Sequence, residues 1–386
     1  MPSNLHSDER IEVSVIVPCF NTAQYLDQCL TSIEADDLAS LEVIVLNDGS
    51  TDNSLEIMRR HEEIDSRIRV IDKPNQGYGA TVNRGIEESR GAYIAIVEPD
   101  DYLKPGMYAR LMDLAHAYGE PDVVKSAYWR VCMPGTPQEN VCHCAYYKRI
   151  NTKKQPFTLR DNPRLIQHHP SIWSAVYKRS FLDEFGIRFK EVPGAGWVDN
   201  PFLIQTLAQA RSIAYTDDSF YCYREDLPTS SSAKKASDLP IVRWNDMADI
   251  VDELNISDKG ILESFYTIGF RYVGGLVEQG AFEDPALKAR CAALFKRMNP
   301  EIVSGMSHIS GAFKQTYSQL TGVVVSANKV AYVAYLASEF VYSLRINGFG
   351  FAFSRIGLFG NRRAAEKGER RDKTSASRSC ESGLLI

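Results

Sequence analysis

Four short apolar runs alternate with amphipathic stretches between residues 12 and 97, and this alternation constrains the fold more than any other feature of the chain. Glu12–Pro18, Leu41–Leu46, Ile68–Ile71 and Tyr93–Val97 read as strands buried on both faces. Thr22–Ile33, Asp52–Ile64 and Thr81–Ser89 place apolar residues at helical spacing, with Asp52 in the N-cap position of its helix. Continuous apolar strands separated by helices imply an α/β fold, with a parallel sheet covered by helices on both faces. From Pro121 to Tyr223 the pattern is less regular and rich in aromatics. Residues 226–235 read as a polar, Ser-rich linker. Residues 239–345 read as mainly helical, and the basic, Ser-rich residues 366–386 as a disordered tail.

At 386 residues the chain exceeds one ordinary domain, and 44% hydrophobic residues supply a substantial core. The formal net charge of −5 argues against a nucleic-acid partner held through its phosphates. Eight cysteines are scattered, without the spacing of a disulfide framework. The first residues lack a basic n-region and an apolar h-region, so the expected compartment is the cytoplasm. Cys132 with Cys142-His143-Cys144 lacks the second well-spaced pair of a zinc site, and Val141 and Ala145 flank it like a buried strand.

Ligands of open α/β sheets sit beyond the carboxyl ends of the strands, so the polar residues there carry the most information. The four ends read Pro18-Cys-Phe-Asn21, Asn47-Asp48-Gly49-Ser50, Asn75-Gln-Gly-Tyr-Gly79 and Glu98-Pro-Asp-Asp101. Turn formers, glycines or carboxylates stand at all four, and together they point to a polar ligand. Three carboxylates crowd the last turn, where mutual repulsion is costly unless a cation is present. A hard divalent ion held by Asp100 and Asp101 and completed by substrate phosphates fits this turn. The alternative is a solvated turn capping the helix that starts near Pro105. For Asp48 the alternative is an Asp-Gly turn bonding its own backbone. Gly77 and Gly79 do not begin a dinucleotide-binding motif, because they follow the third strand and Val82 occupies the third glycine position. Farther on, Gly194–Pro201 leads into an amphipathic run. Asn200 is placed as N-cap and Pro201 as the first helical residue, leaving Asp199 free to face the cleft.

In combination and order, these segments resemble the family 2 glycosyltransferases, which have the GT-A fold, over about Val13–Ser232. The resemblance rests on Val15-Ile-Val-Pro-Cys-Phe-Asn21, Leu46-Asn-Asp-Gly-Ser-Thr-Asp52, Asn75–Gly85 and Gly91–Asp101. It implies a GT-A catalytic domain over residues 1–232, with a nucleotide-sugar half (11–120) and an acceptor half (121–232). A helical C-terminal region over 233–365 would follow. It implies a nucleotide diphosphate-sugar donor held by Pro18, Phe20, Asn21, Asp48, Gly77, Gly79, Glu98 and Asp100. Glu98 and Asp100 stand at the first and last acids of the family's Asp-x-Asp motif, with Mg²⁺ or Mn²⁺ at the last. The usual first residue is Asp, so Glu98 departs from the pattern, and Val82 replaces a common Arg. Asp199 stands at the catalytic base, preceded by Val198 where the family usually has Glu. Arg224, in the segment that closes the catalytic domain, would face a donor phosphate.

The implied reaction is an inverting single displacement onto a hydroxyl of a saccharide or lipid-linked acceptor. Trp173 and Trp197 are candidates to stack on the acceptor sugar, with burial in the core as the alternative for each. A sugar nucleotidyltransferase would share sheet and metal but needs a glycine-rich basic loop near the N-terminus. A non-catalytic nucleotide-sugar binding module would not need both Asp100 and Asp199. Surface or cell-wall polysaccharide or glycolipid synthesis is the expected setting. Val323–Ala337 is apolar but interrupted by Lys329, too broken to span a membrane. Gly348–Phe359 mixes aromatics with cations as interfacial segments do. The C-terminal region therefore either touches the inner face of the plasma membrane or packs on the catalytic domain.

Overall fold

The computed structural model describes residues 11–225, 227 and 238–365, with side chains through residue 348. The linker apart from Leu227, the tail and Ser230–Ser232 thus lie outside the described residues, as do the side chains of residues 349–365. The first half alternates β1 (Val13–Cys19), α1 (Ala23–Glu34), β2 (Leu41–Asp48), α2 (Ser54–Ile64), β3 (Ile68–Lys73), α3 (Tyr78–Glu88) and β4 (Tyr93–Ile96). β1 pairs in parallel with β2 and β4, and β2 with β3, so all four carboxyl ends share one edge. Every residue of β1 and β2 is buried, which is why both read as unbroken apolar runs. Helix α1 returns across the sheet by burying Leu26, Cys29, Leu30 and Ile33, a stripe one turn apart. Truncating Leu30 to Ala in such a core costs about 2–5 kcal/mol.

The second half continues the sheet in another sense. It contributes β5 (Tyr102–Leu103), α4 (Met107–Ala117), β6 (Val123–Cys132), β7 (Asn140–His143), β8 (Ala175–Lys178), α5 (Arg179–Glu184), α6 (Asp199–Gln209) and β9 (Ile213–Arg224). Among the described residues, nine strands form one sheet in the order β3-β2-β1-β4-β8-β6-β9-β5, with β7 on β6. β8 is antiparallel to both β4 and β6, and β5 to β9, so the sheet is mainly parallel but mixed. The periodicity of the first hundred residues could not reveal that reversal. β7 also differs from the reading of its flanks: Val141 is exposed, and His143 is stacked between Trp129 and Tyr147 at ring distances of 3.9 and 3.5 Å.

Beyond residue 238 come α7 (Leu239–Glu253), α8 (Lys259–Glu278), α9 (Pro285–Lys296), α10 (Pro300–Gly305), α11 (Gly311–Thr321) and α12 (Lys329–Ala365), the last interrupted at Gly348. One hydrophobic cluster runs from β1 through Trp244, Phe265, Phe295 and Tyr317, so these helices share the core of the sheet. α7 and α8 bear on the start of α6, which decides where Asp199 stands. Arg243 Nε donates to the Gly196 carbonyl at 2.5 Å, and Tyr272 Oη donates to Asn200 Oδ1 at 2.7 Å.

Candidate active site

At the sheet edge the turns after β1 and β2 are latched together. Asn21, at φ 54°, accepts from the Thr51 N–H at 2.7 Å, and its own N–H donates to Ser50 Oγ at 3.0 Å. Pro18 is buried in β1 opposite Leu46, while Phe20 is 50% exposed beside the latch. Asn53, not Asp52, occupies the N-cap of α2. The Asp52 carboxylate instead accepts from the N–H groups of Ser54 and Ala23, at 3.0 and 3.1 Å, and braces the first turns of two helices.

Asp48 is buried, and both its oxygens are engaged. They accept from the N–H groups of Gln76 and Gly77 at 2.9 and 3.0 Å, and the carboxylate pairs with Lys73. These contacts let Asp48 hold the β3–α3 loop. Gly77 and Gly79 are not open to a ligand. A Cβ on Gly77 would lie 2.5 Å from the Val192 carbonyl oxygen, and one on Gly79 would lie 2.2 Å from that of Lys190. Gly77 further needs its φ of 90° to begin α3. The two glycines let the 190–194 segment lie directly on α3, and the Tyr78 N–H donates to the Gly194 carbonyl at 3.0 Å. This seats the approach to Asp199 against α3.

The Glu98–Asp101 turn divides its three carboxylates between two jobs. Asp101, 1% exposed, accepts from Tyr221 Oη at 2.8 Å and from the Arg224 N–H at 2.7 Å. Both oxygens are spent inside the protein, so the expected metal role of Asp101 is corrected to one of fastening the turn. Arg224 is likewise committed: its guanidinium bonds the Asp100 carbonyl and Gln28, and lies over Tyr25 and Tyr102. These contacts anchor the turn. Tyr221 Oη also accepts from the Glu98 N–H at 3.1 Å. Trp173 stacks on the Tyr221 ring at 3.9 Å and is 3% exposed. No acceptor sugar can stack there, and Trp173 is a core residue.

Glu98 and Asp100 are half-buried. Tyr78 Oη donates to Glu98 Oε1 at 2.6 Å. Burial, with Asp100 and Asp199 close by, pushes the Glu98 carboxyl up to about 8. Burial also raises Asp100, against the pull of Arg224. Asp199 opens α6 directly after Val198, so the helix begins before Asn200, whose predicted capping role is corrected. Asn200 Nδ2 instead donates to Asp199 Oδ1 at 3.1 Å. Burial raises the Asp199 carboxyl to about 6. Trp197, at φ 53° and half-buried, packs at 5.6 Å from Tyr272 beside this carboxylate.

Of the three carboxylates, Glu98 feels the charges of both Asp100 and Asp199. Among the described residues no group of three or more His, Cys, Asp or Glu is placed to hold a metal ion by itself. That donor set fits an ion held by one or two carboxylates and completed by phosphates and water. Asp100 is the ligand such an ion would use. The sequence missed Tyr78, Tyr221, Arg243 and Tyr272 as supports of the cleft. Tyr78 and Tyr221 lie within segments that carry the resemblance, whereas Arg243 and Tyr272 had no signal beyond helical spacing.

Residues 14–186 match the family model described as Glycosyl transferase family 2. The uncharacterized glycosyltransferase EpsJ of Bacillus subtilis is 29% identical over 220 residues, covering 55% of this chain and 61% of that protein. The uncharacterized glycosyltransferase YibD of Escherichia coli is 30% identical over 213 residues, with coverage of 55% and 61%. The chain thus spans about three fifths of the length of these curated relatives. The crystal structure of S. aureus TarS 1-349 in complex with UDP-GlcNAc superposes with a TM-score of 0.62 at 17% identity. It covers 85% of this chain and 92% of that one, and agrees in fold. Residues 14–186 are thus a domain that matches Glycosyl transferase family 2, in a chain with the GT-A-like fold.

Proposed function

We propose that this chain transfers a sugar from a nucleotide diphosphate-sugar to an acceptor hydroxyl, with inversion. The half spanning 11–120 would hold the donor, and the half spanning 121–232 would bring the base. One observation supports the reading: Asp199 lies close enough to the Glu98–Asp100 turn for its charge to raise the Glu98 carboxyl. Gly77 and Gly79 admit the segment that leads to it, and Arg243 and Tyr272 fix the backbone and side chain on either side of it.

Asp199 takes the proton of the acceptor hydroxyl as the oxygen attacks the anomeric carbon. A carboxyl raised to about 6 is still largely ionised near neutral pH, yet more basic than an ordinary Asp, as a general base should be. The diphosphate leaves on the opposite face, through an oxocarbenium-like transition state that needs no protein nucleophile. Mg²⁺ or Mn²⁺ at Asp100 would supply Lewis-acid neutralisation of charge on that leaving group. Glu98, held by Tyr78, borders the donor beside Asp100, and the exposed Phe20 ring offers a face to the base. Trp197 flanks Asp199 on the acceptor side. The acceptor we propose is a saccharide or lipid-linked saccharide, in surface or cell-wall polysaccharide or glycolipid synthesis.

A panel of nucleotide sugars incubated with Mn²⁺ tests the reading. Release of a nucleoside diphosphate from one donor, enhanced by an acceptor saccharide, is the expected result. Formation of nucleotide sugar from sugar phosphate and nucleoside triphosphate would identify a nucleotidyltransferase instead. Donor binding without turnover of any donor would reduce the chain to a binding module.

A further inference from the structure

Helix α12 is fastened to the body by one face and leaves the opposite face bare. On the inner face Glu339 makes a two-pronged ion pair with Arg149, both contacts at 2.9 Å, and Tyr342 Oη donates to the Tyr147 carbonyl at 2.7 Å. Arg149 also lies over the Tyr342 ring at 3.4 Å. On the other side Val330, Val333, Ala334, Ala337 and Val341 follow one another at helical spacing, and all are exposed. Val330 is 80% exposed and Val333 63%, and Val324, just before the helix, is 90% exposed. An exposed valine stripe of this length is unusual for a helix lying on a protein surface, where the outward face is normally polar.

The charges around the stripe state what could cover it. Lys329 and Arg345 bracket it, both exposed, and the sequence continues with Arg355, Arg362 and Arg363 among four phenylalanines. From Lys329 to Ala365 the chain has a single acid, Glu339, and that one is turned inward onto Arg149. The outward side therefore offers apolar surface and positive charge with no negative charge. A second copy of the helix is a poor match, since an antiparallel pair would set Lys329 against Arg345 and a parallel pair like against like. Nucleic acid would leave the valines in water. An anionic bilayer surface satisfies both features, the valines entering the acyl boundary and the cations meeting acidic headgroups. Among the described residues no helix is long and apolar enough to cross a membrane, so the helix would lie in the plane of the interface.

We propose that the Val330–Val341 face of α12 docks the protein on anionic lipid. The proposal stands apart from the transfer reaction. The test is co-sedimentation of the full chain with phosphatidylglycerol-containing vesicles and with phosphatidylcholine alone, at low and high salt. Wild type should sediment with the anionic vesicles at low salt and be released by high salt. The Val330→Asp, Val333→Asp double variant alters two exposed positions, so it should fold and melt as wild type does. It should partition at least about tenfold less, having lost apolar insertion and gained repulsion from the headgroups. The proposal is overturned if wild type stays in the supernatant, or if the double variant sediments equally well. It is overturned too if wild type elutes as a dimer that the variant dissolves, which would assign the stripe to a second copy.

Discussion

Replacing Tyr221 with Phe removes one oxygen that serves two groups of the acidic turn. The hydroxyl donates to Asp101 at 2.8 Å and accepts from the Glu98 N–H at 3.1 Å, while its ring stays clamped on Trp173. Phe keeps the ring and the stacking, so the loss is confined to those two hydrogen bonds. Leaving a buried polar group unsatisfied costs about 1–3 kcal/mol, so the two together should cost roughly 2–4 kcal/mol. In a unit of this size that lowers the melting temperature by roughly 3–5 °C. The turn also positions Asp100, so the effect should extend beyond stability. Assayed well below the new melting temperature, the variant should lose kcat about tenfold or more and need more Mn²⁺ for half-maximal rate. Donor hydrolysis titrated with Mn²⁺, alongside a thermal melt, measures both. A variant that melts early but keeps wild-type kcat and metal dependence would refute the positioning argument, leaving Tyr221 a purely structural residue.

Three further outcomes follow from the same geometry. Glu98 and Asp199 have folded values of about 8 and 6, above their ordinary range, so their contribution to stability is complete below about pH 4 and is lost as pH rises through those values. Mn²⁺ with a nucleoside diphosphate should therefore raise the melting temperature more at pH 8 than at pH 6; an equal or reversed shift would show that the carboxylates do not meet the ligand. The acid limb of kcat/KM should bend near pH 6, where Asp199 takes up its proton; a limb near pH 4 would assign the base elsewhere. Gly79→Ala sets a methyl group 2.2 Å from the Lys190 carbonyl oxygen, so it should displace the 190–194 segment, lower the melting temperature and depress transfer together. Unchanged activity in that variant would detach this contact from the placing of Asp199.

The first hundred residues were legible because buried parallel strands write their burial directly into the sequence. β1 to β4 lie within two residues of the predicted runs, and the polar ends were found where the edge of the sheet lies. Helix starts were less legible. Asp52 looked like a cap because it precedes a helix, yet its carboxylate serves two helices at once, a contact between segments thirty residues apart. Asn200 looked like a cap because Pro201 suits a first position, but the helix opens earlier, where Val198 leads into Asp199. The antiparallel entry of β8 carried no local signal, because pairing partners distant in sequence decide it. The same limit separates Asp100 from Asp101. Both read as ligands, and only the Tyr221 and Arg224 contacts from β9 show that Asp101 is spent inside the protein. Trp173 and Trp197 were both candidates in sequence; in the fold Trp173 is stacked inside the core on Tyr221, whereas Trp197 is half-buried beside Tyr272.

The central claim is that Asp199 is the general base, and Asp199→Asn tests it most directly. Asn keeps the size and the helix start, accepts the contact from Asn200 and removes only the basicity. A positioned base contributes about 10²–10⁴-fold, so sugar transfer should fall by that factor while donor affinity and melting temperature stay near wild type. Transfer rate, donor affinity and melting temperature measured on this one variant decide the matter. A folded, donor-binding variant that still transfers at near wild-type rate would contradict the account and leave Asp199 as the first residue of a helix and nothing more.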